Sequence, residues 1–375
     1  MSTGFDYEGM LASAAWSFVA RNWALISIAT TLVLLVVIPA VVIRKYVLVA
    51  LNIIDDVAPP VWPESREAVP TEGESVSFSA FDGHALGGTM LPAEAGVPKK
   101  GAVIFAHEFG VDRWSCYRYA LPLRRAGYEV FAFDFRGHGQ SPGEKGYKPR
   151  QFPSDREQFD MLGAIGFVED YLEHQGRPRE VGLVGLSRGG GAAILASVGV
   201  ESVKAIAVDG AFSSDTVLEY LLKKWACIFA KLRVVYENHP PAFWRFLRWR
   251  VMVQAEKTFH CHYPSVRNAL RRIGDVPIFF IHGERDTYIP VEQAQILYSQ
   301  AVGPKYLWTV PGARHNQSVN VQPEEYGRRL AAFFDRHLAG CDSPAVLDHA
   351  ALSDLSQPLG TEESAGVARV EQRIL

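Results

Sequence analysis

The chain has 375 residues, of which 48% are hydrophobic and 21% charged, enough for one large α/β domain with appendages and unlike a disordered protein. A formal net charge of −3, with no long basic run, argues against a nucleic-acid partner. The four cysteines (Cys116, Cys227, Cys261, Cys341) form no CxxC pair, and no histidine stands at zinc-ligand spacing, so neither a disulfide framework nor a metal centre is expected.

The first 22 residues form an N-terminal segment that carries Asp6 and Glu8 but no Lys or Arg before Arg21. From Trp23 to Ile43 the sequence WALISIATTLVLLVVIPAVVI contains no charge. A helix of that length, at about 1.5 Å per residue, reaches across the roughly 30 Å hydrocarbon core of a bilayer. A cleaved signal peptide would want a basic start, a shorter apolar stretch and a small-residue cleavage site. A buried core helix would show a polar face. One transmembrane helix over 23–43 fits better than either. Arg44 and Lys45 follow the span, against Arg21 before it, so the positive-inside rule puts the downstream chain in the cytoplasm. Residues 44–74 read as a juxtamembrane segment and linker: Tyr46 to Ile54 is apolar but too short to cross again, and 56–74 is rich in Pro and Glu.

A folded domain is expected over 75–338. Ser75 to Phe81 alternates polar and apolar, and Asp82-Gly83 turns it into a hairpin. Apolar runs at 102–107, 129–135, 181–186, 203–209, 276–282 and 306–311 then alternate with helical stretches. Continuous apolar strands separated by helices predict a mostly parallel sheet covered on both faces. One stretch, about 212–272, breaks the alternation. Apolar residues at 217, 218, 221, 222, 225, 228, 229 and 232 make a helical stripe, and an aromatic helix follows Pro240-Pro241. An insertion there is expected to cap the crevice at the carboxyl ends of the strands. From Lys223 to Arg250 it is basic and aromatic, which suits either an anionic membrane surface or, more simply, a packed face with solvated charges. Residues 339–375, poor in aromatics, read as a flexible tail.

The chemistry centres on GLSRG, Gly185 to Gly189. With 32 glycines in the chain a G-x-S-x-G match is weak alone, but this one follows an apolar strand and opens a small-residue helix. Such a corner would expose Ser187 above the sheet, with a helix N-terminus behind it. Serine needs a base and a group to orient that base. Asp286, just past the run 276–282, and His315, past the run 306–311, stand in the order expected of acid and base. Asp209, ending the strand before the cap, is the reserve acid, and Glu284 a weaker one.

FAHEFG at 105–110, DFRGHGQS at 134–141, GLSRG, and GERDTYIP with a downstream histidine together resemble α/β-hydrolases, in order, over about residues 75 to 338. The subgroup they are most similar to is the serine-aminopeptidase/lysophospholipase-like one, some members of which carry an N-terminal membrane anchor. The resemblance implies an α/β-hydrolase fold with a helical cap. It also implies an oxyanion hole from the backbone N–H groups of Phe109 and Arg188, a structural role for His107, and no metal or organic cofactor. Glu108 stands where the family usually has Gly. His138 belongs to a family turn and is not the base. The implied function is hydrolysis of a carboxylic ester, such as an acylglycerol or lysophospholipid, through an acyl-enzyme on Ser187. A serine aminopeptidase or amidase is the enzymatic alternative, and a non-catalytic ligand-binding protein on this fold the third. Nothing in the sequence sets an oligomeric state.

Overall fold

In the computed structural model, residues 7–56, 73–229 and 239–341 are described. The linker after residue 56, part of the cap and the tail from 342 lie outside them. The chain divides into two compact units, Met1–Ile53 and Ile54–Leu375.

The first unit is helical. Helix α1 spans Tyr7–Leu32 and passes through a π turn, Val33–Val37, into α2, Ile38–Asp56. The π turn has a local cause. Pro39 has no N–H for the carbonyl one turn back, and its ring crowds that carbonyl; a wider turn just before it relieves both problems. The Ile38 N–H bonds instead to Val33 O, five residues back. The most apolar window of this helix has a mean hydropathy of 2.8, and none of that window is buried. Trp16, Trp23, Leu25, Ile28 and Leu35 all point outward. The helix is therefore long and apolar enough to cross a membrane.

The second unit is an eight-stranded sheet in the order β1-β2-β4-β3-β5-β6-β7-β8. Strands β1 (Glu74–Ser79) and β2 (Ala85–Leu91) form the expected hairpin, and β2 pairs antiparallel with β4. All later pairings are parallel: β3 (Gly101–Ala106), β4 (Tyr128–Phe133), β5 (Val181–Leu186), β6 (Val203–Asp209), β7 (Ile278–Gly283) and β8 (Lys305–Val310). Every residue of β3, β4, β5 and β7 is buried, which is why these strands read as unbroken apolar runs. At the edge, β8 buries only alternate positions.

Each face of the sheet carries its own apolar layer. On one side pack α3 (Cys116–Arg125) and α10 (Pro323–His337), through Tyr119, Leu123, Leu330 and Phe333. On the other pack α4 (Asp155–His174), α5 (Arg188–Ala196) and α9 (Glu292–Gln300), through Ile165, Val168, Ile194 and Leu297. The insertion between β6 and β7 contains α6 (Ser214–Phe229), α7 (Pro241–Phe259) and the short α8 (Val266–Leu270). Val217, Leu218, Leu221 and Leu222 of the anticipated stripe are buried. Its far end, including Lys231, Arg233, Tyr236 and Glu237, lies outside the described residues.

Candidate active site

Strand β5 ends at Leu186 and α5 begins at Arg188, which leaves Ser187 alone on the corner with φ 51° and ψ −114°. A non-glycine residue there is strained by about 1–3 kcal/mol and stays only because its surroundings hold it. The Ser187 N–H donates to Asp209 O at 2.7 Å, and Gly190 N–H donates to Ser187 O at 3.1 Å. The flanking glycines are required by contact. A Cβ on Gly189 would stand 2.3 Å from Ala106 O, and one on Gly185 2.5 Å from Gly190 Cα. Their absence lets the corner press against the end of β3, where the loop carrying Phe109 begins.

Ser187 Oγ lies 2.9 Å from His315 Nε2, and His315 Nδ1 lies 2.6 Å from Asp286 Oδ2. If the Nδ1 proton is donated to the carboxylate, Nε2 is free to accept from the serine hydroxyl. The other Asp286 oxygen accepts the N–H groups of Tyr288 at 2.9 Å and Ile289 at 2.8 Å, so the carboxylate is gripped on both sides. Burial alone would raise its pKa. The charges and hydrogen bonds of His315 and His282 outweigh burial and hold it well below the usual carboxylate range. Asp286 is thus anionic wherever the fold persists near neutral pH.

Two further acids were candidates on sequence. Asp209 is fully buried one layer behind, its Oδ1 accepting from Ser318 Oγ at 3.0 Å, and burial raises its carboxyl to about 7. Glu284 is exposed, and its carboxylate accepts the Gly312 N–H at 2.8 Å. Of the three acids, Asp286 is the one bonded to His315 Nδ1, at 2.6 Å.

Phe109 and Arg188 occupy the loop after β3 and the first turn of α5, so both lie beside the Ser187 corner. The loop is braced from below by His107. Its Nδ1 donates to Glu108 O at 2.6 Å, and its Nε2 accepts the Phe135 N–H at 3.1 Å. Burial and the nearby Arg188 charge depress its pKa to about 3, so the ring stays neutral and the tautomer is set by its two backbone partners. Arg188 turns its side chain inward, donating to Arg150 O at 3.0 Å and lying 3.3 Å from Glu157 Oε1. Its guanidinium sits 5.0 Å from the Phe109 ring centroid. Glu108, at the departure from the family pattern, is buried with its carboxyl raised by burial, and accepts from Ser115 Oγ at 3.2 Å. Arg136 and His138 lie in the turn after β4, where Arg136 is locked to Asp160 at 2.6 Å and to Asp82 at 2.9 Å.

Sequence reasoning missed His282, whose Nε2 donates to Ile289 O at 2.8 Å and stands 3.4 Å from Asp286 Oδ2. It also missed Glu157, which reaches Arg188 and forms a capping box with Ser154 at the start of α4. The Ser154-x-x-Glu157 spacing is a readable capping signal, though its link to Arg188 is not. Above the site, Lys224 of α6 donates to Thr287 O at 3.0 Å, tying the cap to the residue after Asp286. Among the described residues no group of three or more His, Cys, Asp or Glu side chains is placed to hold a metal ion.

The uncharacterized protein YfhR of Escherichia coli O157:H7 is 26% identical over 278 residues, covering 72% of this chain and 77% of its own. The Pyrococcus furiosus esterase Pf2001 superposes with a TM-score of 0.53 at 26% identity, over 75% of this chain and 97% of that one. An acylaminoacyl peptidase of Pyrococcus horikoshii shares the fold at a TM-score of 0.51 and 15% identity, over 76% of this chain and 44% of its own. The model of the alpha/beta hydrolase family matches residues 103–329, from the third strand to the last helix and across all the groups gathered around Ser187. With the sheet order, the cap and the strand-end placement of these residues all of that type, the chain belongs to the alpha/beta hydrolase family.

Proposed function

We propose that this protein is a membrane-anchored serine hydrolase of carboxylic esters, acylglycerols or lysophospholipids among them. The observation that carries the reading is the line from Ser187 Oγ to His315 Nε2 at 2.9 Å and from His315 Nδ1 to Asp286 at 2.6 Å. Ser187 attacks the ester carbonyl carbon while His315 Nε2 takes its proton, and Asp286 stabilises the resulting imidazolium. The oxyanion forms between the backbone N–H groups of Phe109 and Arg188, at the positive end of α5. His315 then gives the proton to the departing alcohol, leaving an acyl group on Ser187. Water, deprotonated by the same imidazole, releases the acid. The esterase among the structural neighbours supports ester over amide cleavage, because the peptidase neighbour is alike in fold alone. The anchor is residues 23–43, supported by the unburied apolar helix, with the hydrolase unit on the cytoplasmic side.

Purified full-length chain should hydrolyse p-nitrophenyl esters and label with a fluorophosphonate probe at Ser187. Ser187→Ala should abolish labelling and lower kcat on the order of 10⁴-fold or more. Esterase activity near wild type in that variant would overturn the proposal, and faster turnover of aminoacyl-anilides than of any ester would move it to the peptidase alternative.

A further inference from the structure

Helix α7, PAFWRFLRWRVMVQAEKTF, has no acidic residue before Glu256, and carries Arg245, Arg248 and Arg250 in a chain whose net charge is −3. It buries Trp244, Leu247, Val251 and Ala255, spaced three or four apart, against the rest of its unit. A helix with one buried stripe ordinarily turns polar residues outward. This one does not. On the opposite face Ala242, Arg245, Phe246 and Trp249 are exposed at the same spacing. Phe246 is 43% and Trp249 53% exposed, and their rings pack against each other at a tilt of 42° with centroids 5.9 Å apart. Among the described residues of the second unit the other large exposed apolar side chains are Phe81, Val302 and Val321, and the Phe81 ring packs on the half-buried Phe159 instead of on a second exposed ring.

The charges divide as well. Arg248 is tied to Glu219 at 3.0 Å, and that carboxylate is shared with Lys223 at 3.3 Å. Arg250 lies 5.7 Å from the Trp249 ring, and Arg245 has no ion pair among the described residues. Two aromatic rings flanked by cationic heads make a surface complementary to one that is apolar beneath and anionic at its rim. The interface of an anionic bilayer has both properties.

We infer that the outer face of α7 seats on the anionic headgroups of a lipid bilayer, with Phe246 and Trp249 entering the acyl boundary and Arg245 and Arg250 meeting phosphates. This rests on the reading of residues 23–43 as a bilayer anchor, which keeps the hydrolase unit near that surface. A weak face then suffices, because tethering makes docking intramolecular. The cap would thereby receive lipid esters from the membrane itself.

The test uses the full chain carrying Cys227→Ser, Cys341→Ser and Ala242→Cys, labelled with the environment-sensitive dye NBD and reconstituted into lipid nanodiscs. In discs containing phosphatidylglycerol the emission should shift to the blue, and high salt should reverse the shift. In pure phosphatidylcholine discs the dye should report water. Arg245→Glu with Arg250→Glu should cut the docked fraction roughly tenfold or more, as loss of two cations near an anionic surface does. Phe246→Ser with Trp249→Ser should abolish the blue shift while circular dichroism shows the fold intact. Equal emission in the two kinds of disc, or insensitivity to both double variants, overturns the inference. So does a shift that grows with protein concentration in detergent, which would put a second copy on this face. Failure of the chain to resist alkaline carbonate extraction would defeat the anchor reading; a chain that stays inserted with its dye in water defeats the docking alone.

Discussion

The two buried aspartates beside His315 differ in what surrounds them. Burial pushes both carboxyls up; at Asp286 the charges and hydrogen bonds of His315 and His282 outweigh it, alongside two backbone N–H groups, whereas at Asp209 burial prevails. Asp286→Asn should therefore lower kcat by several orders of magnitude, measured on a p-nitrophenyl ester, with Asp209→Asn staying within tenfold of wild type. The reverse pattern would make Asp209 the acid. Asp209 also predicts a pH effect on stability. Its folded pKa, about 7, lies above that of an unfolded carboxyl. The stability its neutral form contributes is full below about pH 4 and is lost as pH rises towards 7. Asparagine is neutral throughout. In urea titrations the Asp209→Asn variant should gain on wild type from pH 4 to 7 and hold a constant lead above it; a flat difference would refute the assignment. That Ser187, Asp286 and His315 would come together was legible because each follows an apolar run, in the order this fold uses. His282 was not, since its role depends on a carbonyl and a carboxylate that only the folded loop 283–289 brings to it.

At the scale of elements, the strands were readable wherever both faces are covered, as in GAVIFA and IFFIHG. The corner at Ser187 was readable from its glycines, and the structure supplies the reason: Gly189 lies against the carbonyl of Ala106. Gly189→Ala forces a backbone clash that no side-chain rotation relieves. Its yield of folded protein should fall sharply, with a loss of at least about 3 kcal/mol by urea denaturation. Gly166→Ala, where an added Cβ meets nothing within 4 Å, should cost nothing and is the control. Helix α7 shows where periodicity stops helping. Apolar residues on its buried and exposed faces blur the stripe that α6 displays, so the sequence could not say which aromatics pack and which face outward. Trp244 went inside and Trp249 did not.

For the whole molecule, the division at Ile53/Ile54 leaves the sheet, both apolar layers and every candidate site residue in one unit. Deleting residues 1 to about 70 should give a chain that is soluble and still labels with a fluorophosphonate, whereas the full chain should resist alkaline carbonate. A full-length chain found soluble with its N-terminus removed would mark the apolar helix as a signal peptide. The cap has a different relation to the rest. It leaves from β6 and returns to β7, and these strands are ladder partners, with Ile206 opposite Ile278. Its two ends are therefore held side by side whatever lies between them, and lengthening or replacing the insertion changes its closure entropy only slowly. The proposed nucleophile, base, acid and oxyanion donors all sit on segments outside it. On the proposed function, what the enzyme does to a bond and which molecules it admits are written in separable stretches of the chain, and a foreign β6–β7 insertion would change the second without rebuilding the first.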